Sequence, residues 1–407
     1  MTVERPDGVR AFRNPRGVAR AVPYEGARER VLNRPGFEAA EREIGLWPGY
    51  AETPLHRLPA LAARFGVASL CYKDESGRFG LGSFKALGGA YAVFRILKSS
   101  IEAQNGDHAV RSRDIIAGDW REIVEAITVT CATDGNHGRS VAWGAKLFGC
   151  RCVIFVHEHV SEGRRAAIAK FGAEVIRVSG NYDDSVRHAA AQAREQGWTV
   201  VSDTTYEGYR EIPIDVMHGY GVMAREIVRQ MTDGPPTHVF VQAGVGGLAA
   251  SVCASFWIAW QARRPALVIV EPIEADCHFQ SGLAGRPVAV PGKLDTVMAG
   301  LACGEVSPLA WEILDAGAAA YAVVDDRFAI DAMRVLARPS AGDPAIVAGE
   351  TGGCGLALML ALERRDELRD TLGLDESSCV LLIGSEGDTD AQIYRRIVGG
   401  AGVGVPS

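Results

Sequence analysis

The sequence predicts an α/β protein with two open, mostly parallel sheets covered by helices. Between residues 125 and 204, strand-like and helix-like stretches alternate as β-α-β-α-β-α-β. A second series of short apolar runs, again separated by helical stretches, recurs from residue 237 to 385. Glycine-rich or Asp/Asn-containing loops stand where several of these strands give way to helices. Parallel neighbours need a crossover connection, usually a helix, so this rhythm is the economical signature of a covered parallel sheet.

Taken in order, the N-terminal MTVERPDGVRAFRNPRG carries charges with no apolar run behind them, so no secretory signal is expected there. FGLGSFKALGGAY, residues 79–91, leads into helix-like ALGGAYAVFRILK. Residues 99–120, polar and irregular at their centre, are expected to form a surface insertion. EAITVTCA reads as a strand running into the loop TDGN, and HGRSVAWGAKLFG as a helix ended by its glycine. Next come a strand RCVIFVHE, a helix opened by Ser161, a strand AEVIRVSG, a helix NYDDSVRHAAAQAREQG and a strand WTVVSDT. THVFVQA, LVIVEP, AYAVV and CVLLIGS supply the second sheet. The uncharged run at 239–260 is long enough to span a bilayer, but Gln242, Gly244, Gly246 and Gly247 interrupt it, so a buried strand, a glycine loop and a buried helix are expected. No repeat of fixed period is present.

Composition narrows the function. The 407 residues are 47% apolar and 23% charged, with a net charge of −7 and scattered basic residues. That balance gives ample core and lacks the basic footprint of a nucleic-acid binder, leaving a small-molecule substrate and no membrane as the expectation. Nine cysteines without a CxxC pair argue against a disulfide scaffold and a zinc site, so no metal is expected and a reduced, cytoplasmic setting fits.

Ligands of parallel sheets gather outside the carboxyl ends of strands. Three loops occupy such places: TDGNH at 133–137, AGVGG at 243–247 and GSEGDTD at 384–390. The glycine-rich ones let backbone N–H groups approach an anion at a helix N-terminus, with phosphate the obvious guest, although GxGG alone also describes a tight strand-to-helix turn. A lone lysine at a helix start is usually a solvated side chain. Lys85 is different in company: SFK followed by small residues, an asparagine loop about fifty positions on and a glycine loop beyond it. An amine that forms a Schiff base must be poised near neutrality, and an apolar, glycine-flanked pocket favours that, so Lys85 is expected to hold pyridoxal 5'-phosphate (PLP).

KDESGRFGLGSFKALGGAY, ATDGNHGRSVAWGAKLFG, SDTTYEGYREIP, QAGVGGLAAS, MAGLACGEVSPLAWEIL and GSEGDTDAQIYRRIVG, in order from about residue 50 to 400, together resemble the diaminopropionate ammonia-lyases. The resemblance implies the tryptophan-synthase-β-like fold (fold type II), a large PLP-binding domain from residues 1–85 and 205–407, a small inserted α/β domain at 86–204, and a homodimer. It implies that Lys85 carries the cofactor with Phe84 beside it, that Asn136 bonds the 3'-oxygen, and that Gly244, Val245, Gly246, Gly247 and Leu248 hold the phosphate. Ser385 falls at the pyridine nitrogen, where a neutral hydroxyl protonates the ring less firmly than a carboxylate. Thr133, Gly135 and His137 fall where backbone N–H groups bind the substrate carboxylate.

On spacing alone, Asp134 reads equally as an Asx turn or helix cap and Asp203 as a loop ion pair. The resemblance makes both catalytic, each taking the α-proton of one enantiomer of 2,3-diaminopropionate in a PLP-dependent α,β-elimination that yields pyruvate and ammonia. Ser83-Phe84-Lys85 is instead similar to serine and threonine dehydratases, so loss of water from serine, threonine or 3-hydroxyaspartate is the rival activity, and a non-catalytic PLP-binding homologue the alternative of another class. Cys277 and Cys303 lie in segments that resemble the mouth of the family's site, with free thiols favoured over a disulfide in a reducing compartment.

Overall fold

The computed structural model describes residues 8–106, 109–133, 135–206 and 208–399. They form two compact units. One takes Met1–Asn33, Thr53–Gly77 and Ala224–Ser407, and the other Arg34–Glu52 and Arg78–Met223.

The eleven strands, in chain order, are β1 (Val9–Arg13), β2 (Leu55–Arg57), β3 (Ser69–Asp74), β4 (Thr128–Ala132), β5 (Arg151–His157), β6 (Glu174–Val178), β7 (Thr199–Val200), β8 (His238–Gln242), β9 (Ala266–Pro272), β10 (Ala318–Val324) and β11 (Cys379–Gly384). In the first unit seven strands lie in the order β1-β10-β9-β8-β11-β3-β2. The five inner strands are parallel, and β1 and β2 close the edges antiparallel. In the second unit β6-β5-β4-β7 is wholly parallel. All eight expected strands form, and the α/β class with two mostly parallel sheets is the one found. The chain leaves β8 for β9 on one side and reaches β11 on the other, so the strand order reverses between β8 and β11; such a switch point is where open sheets bind ligands.

The uncharged run at 239–260 divides as its glycines require, into β8 and the helix Gly247–Trp260, whose residues are almost all buried. No described helix is long and apolar enough to cross a membrane. Ser161 accepts a hydrogen bond from Arg164 N–H and so opens the helix Glu162–Ala169. The expected surface insertion is more ordered than its polarity implied. Residues 99–105 continue the helix Lys85–Asn105 with Ile101 buried, and Ser112–Ala117 is a short helix pinned by Glu43, which accepts from Arg111 Nε at 2.6 Å and Ser112 N–H at 2.9 Å.

The expected boundaries at 85/86 and 204/205 fall inside the second unit. Residues 34–52 join that unit through aromatic packing: Phe37 lies edge-on to His218, and Trp47 meets Phe79, Trp143 and Phe148. Lys85 joins it because its helix packs closely on its neighbours. A Cβ on Gly144 would stand 2.7 Å from Ala90 Cα. A Cβ on Gly88 would stand 2.3 Å from Tyr220 Cε1.

Candidate active site

In the second unit Lys85 is the first residue of its helix, behind the buried Ser83 and Phe84. Gly82, at φ +80°, supplies the left-handed turn that delivers the chain to it. The Phe84 and Tyr220 rings lie 4.6 Å apart, with Lys85 Nζ over both at 5.4 and 5.7 Å. The expected apolar pocket is present, but it holds a charge that local sequence did not reveal: Nζ donates to the carboxylate of Asp203.

Asp203 follows β7 and is 17% exposed at its side chain. Burial alone would raise its carboxyl, but the Lys85 ammonium holds it well below the usual carboxylate range. His137 Nδ1 stands 3.8 Å from Asp203 Oδ2. Its Nε2 lies 2.8 Å from the Val201 carbonyl, which can only accept, so Nε2 carries the hydrogen and Nδ1 of the neutral ring faces Asp203 with no hydrogen-bond partner. Burial pushes the His137 imidazole below its ordinary value.

Asn136 begins the helix Asn136–Phe148. Thr133 buttresses the turn before it: its hydroxyl accepts from Gly135 N–H at 3.0 Å and Gly138 N–H at 3.1 Å, while its own N–H is spent on Phe155 O at 3.1 Å. Thr133 and Gly135 thus shape the loop in this structure more than they offer donors from it. Asp134 lies outside the described residues.

In the first unit the loop after β8 enters the helix Gly247–Trp260, whose start has no side-chain cap. The first N–H groups of any helix lack intrahelical partners, and they carry the positive end of its dipole. Gly246 sits at φ +100°, where a Cβ would stand 2.4 Å from His278 Nε2. Val245 O accepts from Ser307 N–H at 2.8 Å, fixing the loop, and Leu248 is buried. A Cβ on Gly244 would stand 3.1 Å from Cys303 Sγ, and Cys277 Sγ lies 3.6 Å from Gly244 O. Both are free thiols, as are the other seven cysteines. Beneath the loop the buried Glu271 accepts from His278 N–H and Phe279 N–H, each at 2.8 Å. Glu271, Cys277 and His278 place their ligand atoms within 4.8 Å of one another, a cluster that cysteine spacing gave no hint of. Ser385, just past β11, is 1% exposed and meets Gln242 at the end of β8.

The family model for pyridoxal-phosphate dependent enzymes matches residues 46–384. Diaminopropionate ammonia-lyase of Escherichia coli (strain K12) is 42% identical over 359 residues, covering 86% of this chain and 88% of that protein. The chain belongs to the diaminopropionate ammonia-lyase family. Among solved structures of that family, the selenomethionine-incorporated holo enzyme from Escherichia coli superposes with a TM-score of 0.88 at 38% identity, covering 96% of this chain and 97% of that one. The same enzyme in complex with an aminoacrylate-PLP azomethine reaction intermediate gives a TM-score of 0.85 at 38% identity, with 96% and 97% covered. The ammonia-lyase fold, the tryptophan-synthase-like fold type II, is thus the architecture of this chain.

The residues present fit the ammonia-lyase cofactor. A left-handed glycine packed against His278 at an uncapped helix start suits a phosphate, which such helix N-termini favour. Among the described residues the Ser385 hydroxyl has one hydrogen-bond partner, a donor, and so keeps its own proton to give. Tyr220, Gln242, Thr351 and His278 escaped sequence reasoning; Gln242 alone left a trace, as the polar break in an apolar run.

Proposed function

We propose that this chain catalyses the PLP-dependent α,β-elimination of 2,3-diaminopropionate, in which one substrate and one water give pyruvate and two ammonia. The observation that carries the reading is Asp203 against Lys85: an amine suited to carry an aldehyde cofactor with a buried carboxylate at its side. When bound, the cofactor supplies an electron sink conjugated to the substrate's α-carbon. Lys85 would hold it and Phe84 would pack beside it. Asn136 would bond its 3'-oxygen, Gly244, Val245, Gly246, Gly247 and Leu248 would take its phosphate, and Ser385 its ring nitrogen.

Lys85 and Asp203 act on each other. While Nζ is an ammonium, it holds Asp203 ionised and too weakly basic to remove an α-proton. Engaged with the cofactor, Nζ would no longer donate to Asp203 as a full ammonium, and that hold would weaken. Burial, the opposing influence on Asp203, then raises its proton affinity toward a working base. Asp203 would serve one enantiomer and Asp134 the other, with the released Lys85 amine able to move the same proton in either case. The turn of Thr133, Gly135 and His137 would seat the substrate carboxylate at the start of its helix. The β-amine leaves as ammonia, and the unsaturated product hydrolyses to pyruvate and the second ammonia.

The unit holding the phosphate loop is proposed as the main PLP-binding domain, and the protein as a cytoplasmic homodimer, a setting that nine free thiols support. The test is release of ammonia and pyruvate from both enantiomers of diaminopropionate beside serine, threonine and 3-hydroxyaspartate. Diaminopropionate should be consumed fastest. Faster turnover of a hydroxy-amino acid would make the chain a dehydratase, and turnover of none a non-catalytic PLP protein.

A further inference from the structure

The contact between Gln242 and Ser385 decides more than position. Gln242 is 1% exposed, and its Nε2 is surrounded by three oxygens: Thr351 O at 3.1 Å, Ile383 O at 3.0 Å and Ser385 Oγ at 2.6 Å. Exchanging the amide's nitrogen and oxygen would press an acceptor against two carbonyls, so the orientation is fixed by its neighbours. An amide nitrogen only donates. Ser385 Oγ therefore accepts, and its own proton is not used toward Gln242. Gln242 Oε1 has no hydrogen-bond partner, so it does not take that proton either, and Ser385 is only 1% exposed. Two strands, β8 and β11, thus end by leaving one buried hydroxyl proton with no acceptor among the described residues.

We propose that Gln242 is a positioning residue that fixes Ser385 as a hydrogen-bond donor to the ring nitrogen of PLP and so holds that nitrogen unprotonated. This rests on the placing of Ser385 at the ring nitrogen proposed above. A protonated ring would need Ser385 to accept, leaving its buried proton without an acceptor, a cost that the neutral ring avoids. Gln242→Met removes the amide that donates to Ser385 and uncovers the carbonyls of Thr351 and Ile383. Ser385 then gives its proton to one of them and offers a lone pair to the ring, which takes up a proton.

The experiment is nitrogen-15 NMR of the holoenzyme loaded with PLP labelled at the ring nitrogen, with borohydride fixation on Lys85 confirming loading. The parent protein should give the signal of a hydrogen-bonded, unprotonated pyridine. Gln242→Met should move it most of the way to pyridinium, and Ser385→Ala should move it to that of a pyridine without a donor. Gln242→Asn, one methylene short of Ser385, should act as Gln242→Met does and serves if the latter does not fold. A protonated ring in the parent overturns the inference. So does an unmoved signal in the Gln242 variants while Ser385→Ala shifts it. An unmoved signal in Ser385→Ala overturns the placing of Ser385 itself.

Discussion

Asp203 accepts from Lys85 through Oδ2, with His137 Nδ1 3.8 Å from the same oxygen, so its basicity depends on what the lysine is doing. If Asp203 and Asp134 serve opposite enantiomers, Asp203→Asn and Asp134→Asn should each slow one isomer of diaminopropionate by roughly two to three decades and the other far less. Steady-state kinetics on the separated isomers decide it; equal, mild losses on both would leave the carboxylates only positioning the substrate. Elsewhere in the same unit, Asp215 and His218 set opposed responses to pH. Burial lifts the Asp215 carboxyl to about 6 against the pull of Arg95, so the folded chain binds its proton more readily and gains stability as pH falls from about 6 to 4. Burial, then Arg95, drops His218 to about 4, so stability is lost as pH falls from about 6.5 to 4. The two nearly cancel. Asp215→Asn should unmask the histidine, with roughly 2 kcal/mol lost between pH 6.5 and 4.5, read from urea midpoints at those two values. A variant with the parent's slope would contradict this, and His218→Gln should show the reverse slope.

The glycine loop joining β8 to the helix Gly247–Trp260 is shaped by contacts on both sides. Gly246 combines a left-handed φ of +100° with His278 Nε2 and Ala310 Cβ at 2.4 and 2.9 Å from where a Cβ would stand. Gly66 is left-handed too, at φ +60°, but meets nothing within 4 Å. Gly66→Ala should therefore cost only backbone strain, about 1 kcal/mol, whereas Gly246→Ala should cost roughly 2–4 kcal/mol and weaken PLP binding at least about tenfold, because the loop must move. Urea midpoints and cofactor dissociation rates separate the two, and equal losses would mean that close packing at the loop is unimportant. Among the strands, the edges are where the sequence was least legible. β1 (VRAFR) and the three-residue β2 carry charges and pair antiparallel at the sheet margins, so they lack the apolar run that marks a buried parallel strand. β3 hides for another reason. Its Lys73 is wholly buried, and partners distant in sequence make that tolerable: Glu226 at 2.7 Å, 153 positions later, with Thr53 O at 2.7 Å and Gln230 Oε1 at 3.0 Å.

Across the whole molecule nine thiols are free, six buried and three, Cys150, Cys303 and Cys379, partly exposed. Burial, with Glu271 alongside, pushes the Cys277 thiol far above its usual value, so it stays protonated and unreactive in the folded chain. Freshly prepared protein, denatured without reductant, should take alkylating reagent at all nine positions by mass spectrometry. Native protein should react first at the three partly exposed cysteines and scarcely at Cys277. Protection of both Cys277 and Cys303 in the denatured sample would reveal a disulfide between them.

The sequence by itself determined the two parallel sheets, the strand-loop-helix division of residues 239–260, and Lys85 with its glycine loop and DGNHG turn, because each is written in local periodicity or in motifs a few residues long. Only the tertiary structure decided which groups meet. Asp203 reaches Lys85 across 118 positions, and Gln242 donates to Ser385 with its amide held by the carbonyls of Thr351 and Ile383. The physical reason is that a helix or strand repeats over a few residues, whereas a buried hydrogen bond or ion pair is satisfied by whatever the fold brings within 3 Å or so, wherever it lies in the chain.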